Sequence, residues 1–250
     1  MEPGTSASTA SAPPSTITTK SMSVFVWNSG DMAADSTSIP GHIKIAFACI
    51  GVAFLFIIVA FSTSSWLATD GDLETPKFIR IGLWEGCFNN LQDANHNFDI
   101  TITGCRYLLS EELYHLNDLI FQPFFVAVQF FFTMCFVTLL IAIVLVPAYI
   151  LCYGPGHDYY VLLLRIIGIV LMISAFLGTI AVIVFGAKGD SRDWMPDWQN
   201  NYLSWSFAFA VIGVFSEYVA GILFLVESRI QSKRKKMRES HSAYTMETKA

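Results

Sequence analysis

Charged side chains are scarce in this sequence. Asp, Glu, Lys and Arg make up only 14% of its 250 residues, while 54% are hydrophobic and the mean hydropathy is +0.51. A typical soluble domain carries about 25% charged residues, so the composition excludes that class and indicates a membrane as the solvent. The formal net charge of -5 is small, and the positions of the charges are more informative than their sum.

The sequence also lacks the motifs of common enzymes and metal sites. It contains no glycine-rich phosphate-binding loop, no nucleophile elbow and no His/Cys spacing suited to zinc. Its five histidines are scattered over different segments, where surface or packing roles are expected. We therefore predict no catalytic residue, no metal ion, no cofactor and no enzyme activity.

Four long apolar blocks are the main feature that the sequence does have. Each is near the roughly 20 residues that a transmembrane helix needs, and together they predict an all-α transmembrane four-helix bundle. The predicted spans are residues 43–63, 124–151, 161–187 and 205–227. They belong to one domain, 43–228, between a Ser-, Thr- and Pro-rich tail, 1–42, predicted to be disordered, and a basic tail, 229–250. Because no charged segment leads directly into the first block, we expect an uncleaved span rather than a signal peptide.

Basic residues near the span ends predict the orientation. The tail after the fourth span carries Arg229 and a basic cluster of Lys233, Arg234, Lys235, Lys236 and Arg238. Such residues collect on the cytoplasmic side of a membrane, so both termini are predicted to be cytoplasmic and the loops 64–123 and 188–204 extracellular. The position of the basic cluster just after a span favours contact with anionic inner-leaflet lipids over nucleic-acid binding.

The first outer loop contains two β-like runs, residues 78–84 and 100–103, separated by a polar stretch, 89–97, that is typical of a turn. They predict a small extracellular antiparallel sheet. Ser110 can then cap a short helix, whose apolar face is predicted to contain Leu109, Leu113, Leu116 and Ile120.

Among the five cysteines, only Cys87 and Cys105 fall in an outer loop. Because the cell exterior is oxidising, we predict a disulfide between them, which the chain-entropy model values at about 3 kcal/mol. Cys49 and Cys135 are interpreted as packing residues. Cys152, at the inner boundary, is either a similar residue or a site of palmitoylation.

Glu217 is an acidic residue inside the fourth predicted span, where an isolated charge is costly. It could belong to an ion or proton path. The favoured alternative is a protonated or hydrogen-bonded carboxyl group that faces neighbouring helices and reaches Gln129 or a hydroxyl. Ser174 and Gly178 form a small-xxx-small pair, which suits either close helix contact or looser lipid-facing packing.

Two motifs carry a family resemblance. Trp66, Gly82-Leu83-Trp84, Cys87 and Cys105 match the W…GLW…C…C pattern of the first outer loop in the claudin superfamily. Residues 192–196 and 202–205 resemble the second outer loop and the entry to the fourth span, so the resemblance covers about residues 43–228. It implies a left-handed bundle with an extracellular sheet, side-by-side association in one membrane and contact with the apposing cell. Trp66, Trp84 and the disulfide would hold the sheet to the helices; the alternative for the tryptophans is a place in the interfacial aromatic belt.

The chain departs from vertebrate claudins in its wider Cys87–Cys105 interval, its longer N-terminal tail and its ending, Thr248-Lys249-Ala250, in place of Tyr-Val. A terminal Ala fills a PDZ groove poorly, so PDZ docking is not expected. These departures resemble the invertebrate claudin-like proteins of septate junctions.

The resemblance implies a structural protein at lateral cell-cell junctions of the epithelial plasma membrane. It would contribute to septate or tight junction assembly and the paracellular barrier, with membrane lipids, itself and other claudin-like proteins as partners. An auxiliary gamma-type subunit of an ion channel or receptor is the alternative, because those subunits share the signature. A membrane enzyme or transporter would rest on Glu217 alone.

Two further residues are candidate sites. Arg106, directly after the second signature cysteine, resembles the position that sets pore charge in several claudins. It is interpreted as a charge selector or as the partner of Asp99 or Glu111 in a salt bridge. Trp194, in a turn shaped by Pro196, is predicted to be an exposed anchor for neighbouring molecules; the alternative is burial in the membrane interface.

Overall fold

A computed structural model describes residues 41–72, 75–91, 101–152, 159–192, 194–196 and 198–248. The predicted disordered tail lies almost wholly outside these ranges. Residues 153–158, most of the polar stretch of the first predicted outer loop, and the last two residues of the chain also lie outside them.

Within the described residues, four long helices form the body of the protein, and each contains a segment long and apolar enough to cross a membrane. Helices suit this solvent because they satisfy every backbone polar group internally. They are α1 (Gly41–Ser62), α3 (Pro123–Cys152), α4 (Tyr160–Lys188) and α5 (Trp205–Glu247). Helix α1 packs along α5, α5 along α4, and α4 along α3, whereas α1 and α3 meet over a short stretch.

The last helix is longer than the sequence analysis predicted. Helix α5 has 43 residues, which correspond to about 65 Å at 1.5 Å per residue, whereas the hydrocarbon core of a bilayer is about 30 Å thick. Most of the basic tail is therefore helical. The segment after Glu227 is rich in Lys and Arg and contains neither Gly nor Pro, a composition that favours continued helix.

A five-stranded antiparallel sheet lies at one end of the bundle, which we call the sheet end. Its strands are β1 (Leu67–Thr69), β2 (Phe78–Ile81), β3 (Glu85–Leu91), β4 (Ile102–Tyr107) and β5 (Asn201–Leu203), in the order β4-β3-β2-β1-β5. Strand β1 pairs with both β2 and β5, so residues that follow α1 are joined directly to residues that precede α5.

The strand pairing corrects one sequence prediction. The two predicted β-like runs are not neighbours, because β3 lies between β2 and β4. Asn89 and Asn90, which were assigned to a turn, belong to β3. The flanking residues Phe88 and Leu91 are buried, and a register shift between them accommodates Asn90, whose φ is 55°.

The short helical segment after β4 also differs from its prediction. It consists of a 3-10 helix, Glu111–Leu116, followed by α2 (Asn117–Ile120). Leu113, Leu116 and Ile120 are buried as predicted, but Leu109 is 62% exposed. The 3-10 helix begins at Glu111, so Leu109 lies before it and is not part of its buried face. Leu108 is buried instead.

Small residues determine how closely α4 approaches its neighbours. Ser174 and Gly178 are both buried, which confirms the close-contact interpretation. A Cβ atom added to Gly178 would lie 2.6 Å from Val214 Cγ2 on α5 and 2.9 Å from Cys135 Sγ on α3. Three helices therefore meet at a point that has no space for a larger side chain.

We predict that Gly178→Leu lowers the free energy of unfolding by about 1–3 kcal/mol, because overpacking forces side chains and backbone apart. Gly51→Leu on α1 is the matched control, since an added Cβ there has nothing within 4 Å. Thermal unfolding of the detergent-solubilised variants, followed by size-exclusion chromatography, measures the difference. Equal midpoints for the two variants would contradict the close three-helix contact.

Candidate functional site: the anchored sheet

Trp66 joins the sheet to the helices. Its side chain is fully buried, and its Nε1 donates a hydrogen bond of 2.7 Å to the carbonyl oxygen of Ala60 at the end of α1. The indole ring packs against Phe132 of α3, Phe185 of α4 and Phe207 of α5, with centroid distances of 5.0, 5.0 and 5.9 Å. One side chain thus contacts all four long helices beside the first strand.

The Gly82-Leu83-Trp84 segment forms a second attachment. A Cβ atom on Gly82 would overlap the carbonyl oxygen of Thr63 and lie 2.6 Å from Ser64 Cα, so the close approach of the two backbones requires glycine. The carbonyl oxygen of Leu83 accepts a 2.6 Å hydrogen bond from Gln129 Nε2 of α3. Trp84 is partly buried and packs against Phe61 at 5.4 Å.

The disulfide joins β3 and β4, the two strands at one edge of the sheet. Cys87 of β3 and Cys105 of β4 stand directly opposite each other and are bonded. Cys87 is buried and Cys105 is exposed. Arg80 of β2 donates from Nε to Cys87 Sγ at 3.4 Å, so three adjacent strands are linked by side chains as well as by backbone hydrogen bonds.

Trp194 is not an exposed anchor, and this prediction is wrong. Its side chain is 2% exposed, its Nε1 donates to the carbonyl oxygen of Ile120 at 3.3 Å, and its ring packs against Phe124, Phe125 and Phe185. A short loop between two helices led the sequence analysis to expect exposure. Burial instead follows from this aromatic pocket, whose parts come from distant positions in the chain.

Pro196 is partly buried, and its carbonyl oxygen accepts a 3.1 Å hydrogen bond from Asn201 Nδ2. It therefore connects the second loop to β5. Nearby, the guanidinium of Arg192 lies 4.8 Å from the centroid of Trp198, a cation-π contact. The second loop is thus held by packing on both sides of Pro196.

Arg106 lies on the edge strand β4, beside the short helical segment. Its Nε donates to Glu112 Oε2 at 2.7 Å, and its Nη1 donates to the carbonyl oxygen of Cys105 at 3.1 Å. The acidic partner is therefore Glu112 rather than Glu111, and Asp99 lies outside the described residues. Both side chains remain accessible, with 45% of Arg106 and 65% of Glu112 exposed.

Glu217 lies far from the sheet end, in the interior of the bundle. It is fully buried, and its carboxyl group accepts a 3.1 Å hydrogen bond from Ser174 Oγ and longer contacts from Cys135 Sγ at 3.7 and 3.9 Å. The expected hydroxyl partner is present. Gln129 is not the partner, because its amide is bonded to Leu83.

A second buried acid, Glu227, was missed by the sequence analysis. It is 1% exposed and pairs with His42 at the start of α1, while Gln231 Nε2 donates to its Oε1 at 2.6 Å. The sequence placed Glu227 at the water-facing boundary of the span. The signal that could have identified it is the Glu-x-x-x-Gln spacing, which puts both side chains on one helix face.

The predicted site residues therefore separate into three regions. The signature residues, the disulfide and Arg106 belong to the sheet end, whereas Glu217 lies between helices. The basic cluster is on the exposed last part of α5, at the opposite end of the bundle, which we call the tail end. Cys49 is partly buried and Cys135 buried, and the side chain of Cys152 is outside the described residues.

Trp194→Ala is expected to lower the free energy of unfolding by about 3–5 kcal/mol, because it empties a large buried site. Trp205→Ala is the matched control, since Trp205 is 49% exposed and should lose little. Thermal unfolding in detergent and delivery to the cell surface report the effect. A stable, normally delivered Trp194→Ala protein with reduced clustering would instead restore the intermolecular role.

The sequence that forms this anchored sheet and these apolar helices matches a known protein family. A profile of the family described as PMP-22/EMP/MP20/Claudin tight junction matches residues 51–226. No individual curated protein matches the chain. The matched range includes the Trp66 anchor, the disulfide and parts of all four long helices. This chain belongs to the PMP-22/EMP/MP20/claudin family of tight-junction-type structural membrane proteins.

Proposed function

We propose that this protein is a structural component of lateral epithelial junctions, of the septate or tight type, and contributes to the paracellular barrier. In this proposal the sheet end faces outward and the tail end faces the cytoplasm. The basic residues of the tail end support that orientation. The observation that carries the proposal is a sheet that is anchored to the helices by buried residues and presents an exposed apolar surface at one edge.

That surface, which we call the edge patch, consists of Tyr107, Leu109 and Tyr114. They are 53%, 62% and 70% exposed, and all three lie on or after β4, which is an edge strand of the sheet. Exposed apolar groups beside an edge strand favour association. The edge patch, rather than Trp194, is therefore the proposed side-by-side contact with another claudin-like molecule.

The tail end supports the second part of the proposal. Four members of the basic cluster, Lys233, Arg234, Lys236 and Arg238, are exposed. Anionic lipids of the inner leaflet attract such residues. In this arrangement the tail holds the bundle at the cytoplasmic surface while the sheet contacts neighbouring molecules.

The double variant Tyr107→Ser/Leu109→Ser should reach the lateral membrane, cluster less at junctions, and restore the barrier only partly when it replaces the endogenous protein. The expected cause is the loss of apolar contact area. Tracer flux across the polarised epithelium and junctional fluorescence measure the two effects.

Tyr202→Ser is the matched control, because Tyr202 is 49% exposed on β5, at the opposite edge of the sheet. Normal clustering by the double variant would remove the edge patch from the proposal. Diffuse or synaptic staining of the wild-type protein, with altered channel currents and no tracer leak after its depletion, would favour the gamma-type channel subunit instead.

Arg106 and Glu112 form the proposed charge selector of any pore between such molecules. A charge that lines a narrow path acts at close range, where screening is weak. Because Glu112 lies 2.7 Å from the Arg106 guanidinium, its carboxylate offsets much of that positive charge. The selectivity is therefore proposed to depend on both members of the pair.

Dilution potentials across an epithelial layer test this pair. Arg106→Glu is expected to increase the cation-to-anion permeability ratio, and Glu112→Gln is expected to decrease it, because it leaves the Arg106 charge unpaired. Glu111→Gln removes the neighbouring carboxylate and should change the ratio less. Unchanged ratios for both Arg106→Glu and Glu112→Gln, at equal junctional delivery, would contradict a role in selectivity.

A further inference from the structure

A pocket of about 420 Å³ lies between the end of β4 and the start of α3. Its volume falls within the range of small-ligand sites, which is about 300–1,000 Å³. The pocket combines aromatic surface with charged and hydrogen-bonding groups. The lining residues that carry this chemistry are Ser110, Glu111, Tyr114, Asn117, Asp118 and Phe121.

Two carboxylates make the pocket acidic. Glu111 and Asp118 are exposed, and neither forms a salt bridge within the part of the chain that the structure describes. The preceding basic residue, Arg106, is paired with Glu112, and the sequence has no Lys or Arg between Arg106 and Arg165. The two carboxylates therefore attract a cation from outside this segment.

The aromatic side chains indicate which kind of cation fits. Tyr114 is 70% exposed and Phe121 is partly buried, and the faces of such rings attract organic ammonium groups. A hard metal ion instead needs six or more oxygen ligands. Among the described residues there is no group of three or more His, Cys, Asp or Glu side chains that could hold a metal, so an organic ammonium group is the better match.

Ser110 and Asn117 add hydrogen-bond donors beside the carboxylates. Ser110 precedes the 3-10 helix, but its side chain makes no capping hydrogen bond, and its buried Oγ has no partner among the described residues. Rotation about χ1 of Ser110 therefore breaks no hydrogen bond and can bring the hydroxyl into the pocket. With the amide of Asn117, it can donate to an anionic group that accompanies the ammonium.

The position of α3 places the pocket at the level of lipid headgroups. Helix α3 has 30 residues, which correspond to about 45 Å at 1.5 Å per residue, or about 42 Å across the membrane at the usual tilt of about 20°. A bilayer is about 30 Å thick in its hydrocarbon core and about 40–45 Å thick with its headgroups. Both ends of α3 therefore reach the headgroups, and Phe121 is two positions before Pro123, where α3 begins.

We propose that this pocket binds the headgroup of a zwitterionic phospholipid, such as phosphatidylcholine, from the leaflet at the sheet end. The ammonium group lies against Tyr114 between Glu111 and Asp118, and the phosphate accepts hydrogen bonds from Ser110 and Asn117.

A lipid is favoured over a basic side chain of a neighbouring molecule for two reasons. Headgroups surround every copy of the protein at this level, and the pocket offers donors for a phosphate as well as acceptors for a cation. The proposal is independent of the junctional role. The lipid would nevertheless lie against part of the edge patch, because Leu109 and Tyr114 also line the pocket, so it would link that surface to the membrane.

Native mass spectrometry of the full-length protein in detergent tests the proposal. Palmitoyl-oleoyl phosphatidylcholine and phosphatidylglycerol, which share their acyl chains, are added one at a time, and the dissociation constant of the bound lipid is measured. Glu111→Gln/Asp118→Asn should weaken phosphatidylcholine binding about tenfold. It should not weaken phosphatidylglycerol binding, because that headgroup has no ammonium group.

Matched variants make the result specific to the pocket. Tyr114→Leu should weaken phosphatidylcholine binding about threefold, whereas Tyr114→Phe keeps the aromatic ring and should retain the wild-type affinity. Asp72→Asn/Asp190→Asn is the control for charge, since both residues are exposed and neither lines the pocket. All four variants change exposed side chains, and equal thermal unfolding midpoints confirm that the fold is intact.

Unchanged phosphatidylcholine affinity in Glu111→Gln/Asp118→Asn would overturn the proposal. An equal loss in the charge control, or an equal loss for phosphatidylglycerol, would overturn recognition of the headgroup. Choline chloride that binds the wild type as tightly as the lipid would reassign the pocket to a soluble ammonium compound. A dimer that carries no phosphatidylcholine and dissociates in Glu111→Gln/Asp118→Asn would reassign it to a basic side chain of a neighbouring molecule.

Discussion

The indole of Trp66 occupies the point at which the sheet meets the ends of the helices. Its hydrogen bond to Ala60 and its contacts with Phe132, Phe185 and Phe207 fix the direction in which the chain leaves α1. The orientation of β1 depends on that direction, and β1 pairs with both β2 and β5. The remaining strands are placed by this pairing and by the second attachment at Gly82-Leu83-Trp84, so the position of the sheet depends on the Trp66 contact together with that attachment.

The buried acidic side chains of the bundle are also restricted to particular positions. A carboxyl group in a membrane-spanning segment is tolerated when it faces the protein and has hydrogen-bonding partners. Glu217 meets Ser174 and Cys135 from two neighbouring helices, and Glu227 meets His42 and Gln231. These contacts constrain the rotation of α5 against its neighbours, because turning the helix would expose either acid to lipid.

The sequence predicts the long elements well because lipid imposes a simple requirement on them. Apolar runs of sufficient length identify the four helices, since an unpaired backbone group in hydrocarbon is costly. The family signature indicates where the sheet is anchored. The sequence does not reveal β3, because Asn89 and Asn90 resemble a turn when only neighbouring residues are considered. The burial of Phe88 and Leu91, which places this segment in a strand, depends on the whole sheet.

The environments of Trp194 and Arg106 are also hard to predict, because they too depend on packing contacts that neighbouring residues do not reveal. The pocket around Trp194 is assembled from Phe124, Phe125 and Phe185, which come from two different helices and have no local pattern that links them to the second loop. The choice of Glu112 over Glu111 as partner of Arg106 depends on the 3-10 geometry of a six-residue segment. Such short segments are set by their contacts rather than by intrinsic propensity.

The five strands have three to seven residues each, and sheets this small gain stability mainly by packing against another layer. In this protein the other layer is the end of the helical bundle.

The residues that attach the sheet, including Gly82 and Trp66, are therefore needed for folding. Their substitution would unfold the sheet, and its exposed surface would be lost with it. Residues that define contacts between molecules must instead lie on exposed positions, such as Tyr107 and Leu109. Only substitutions there can change association while the fold remains intact.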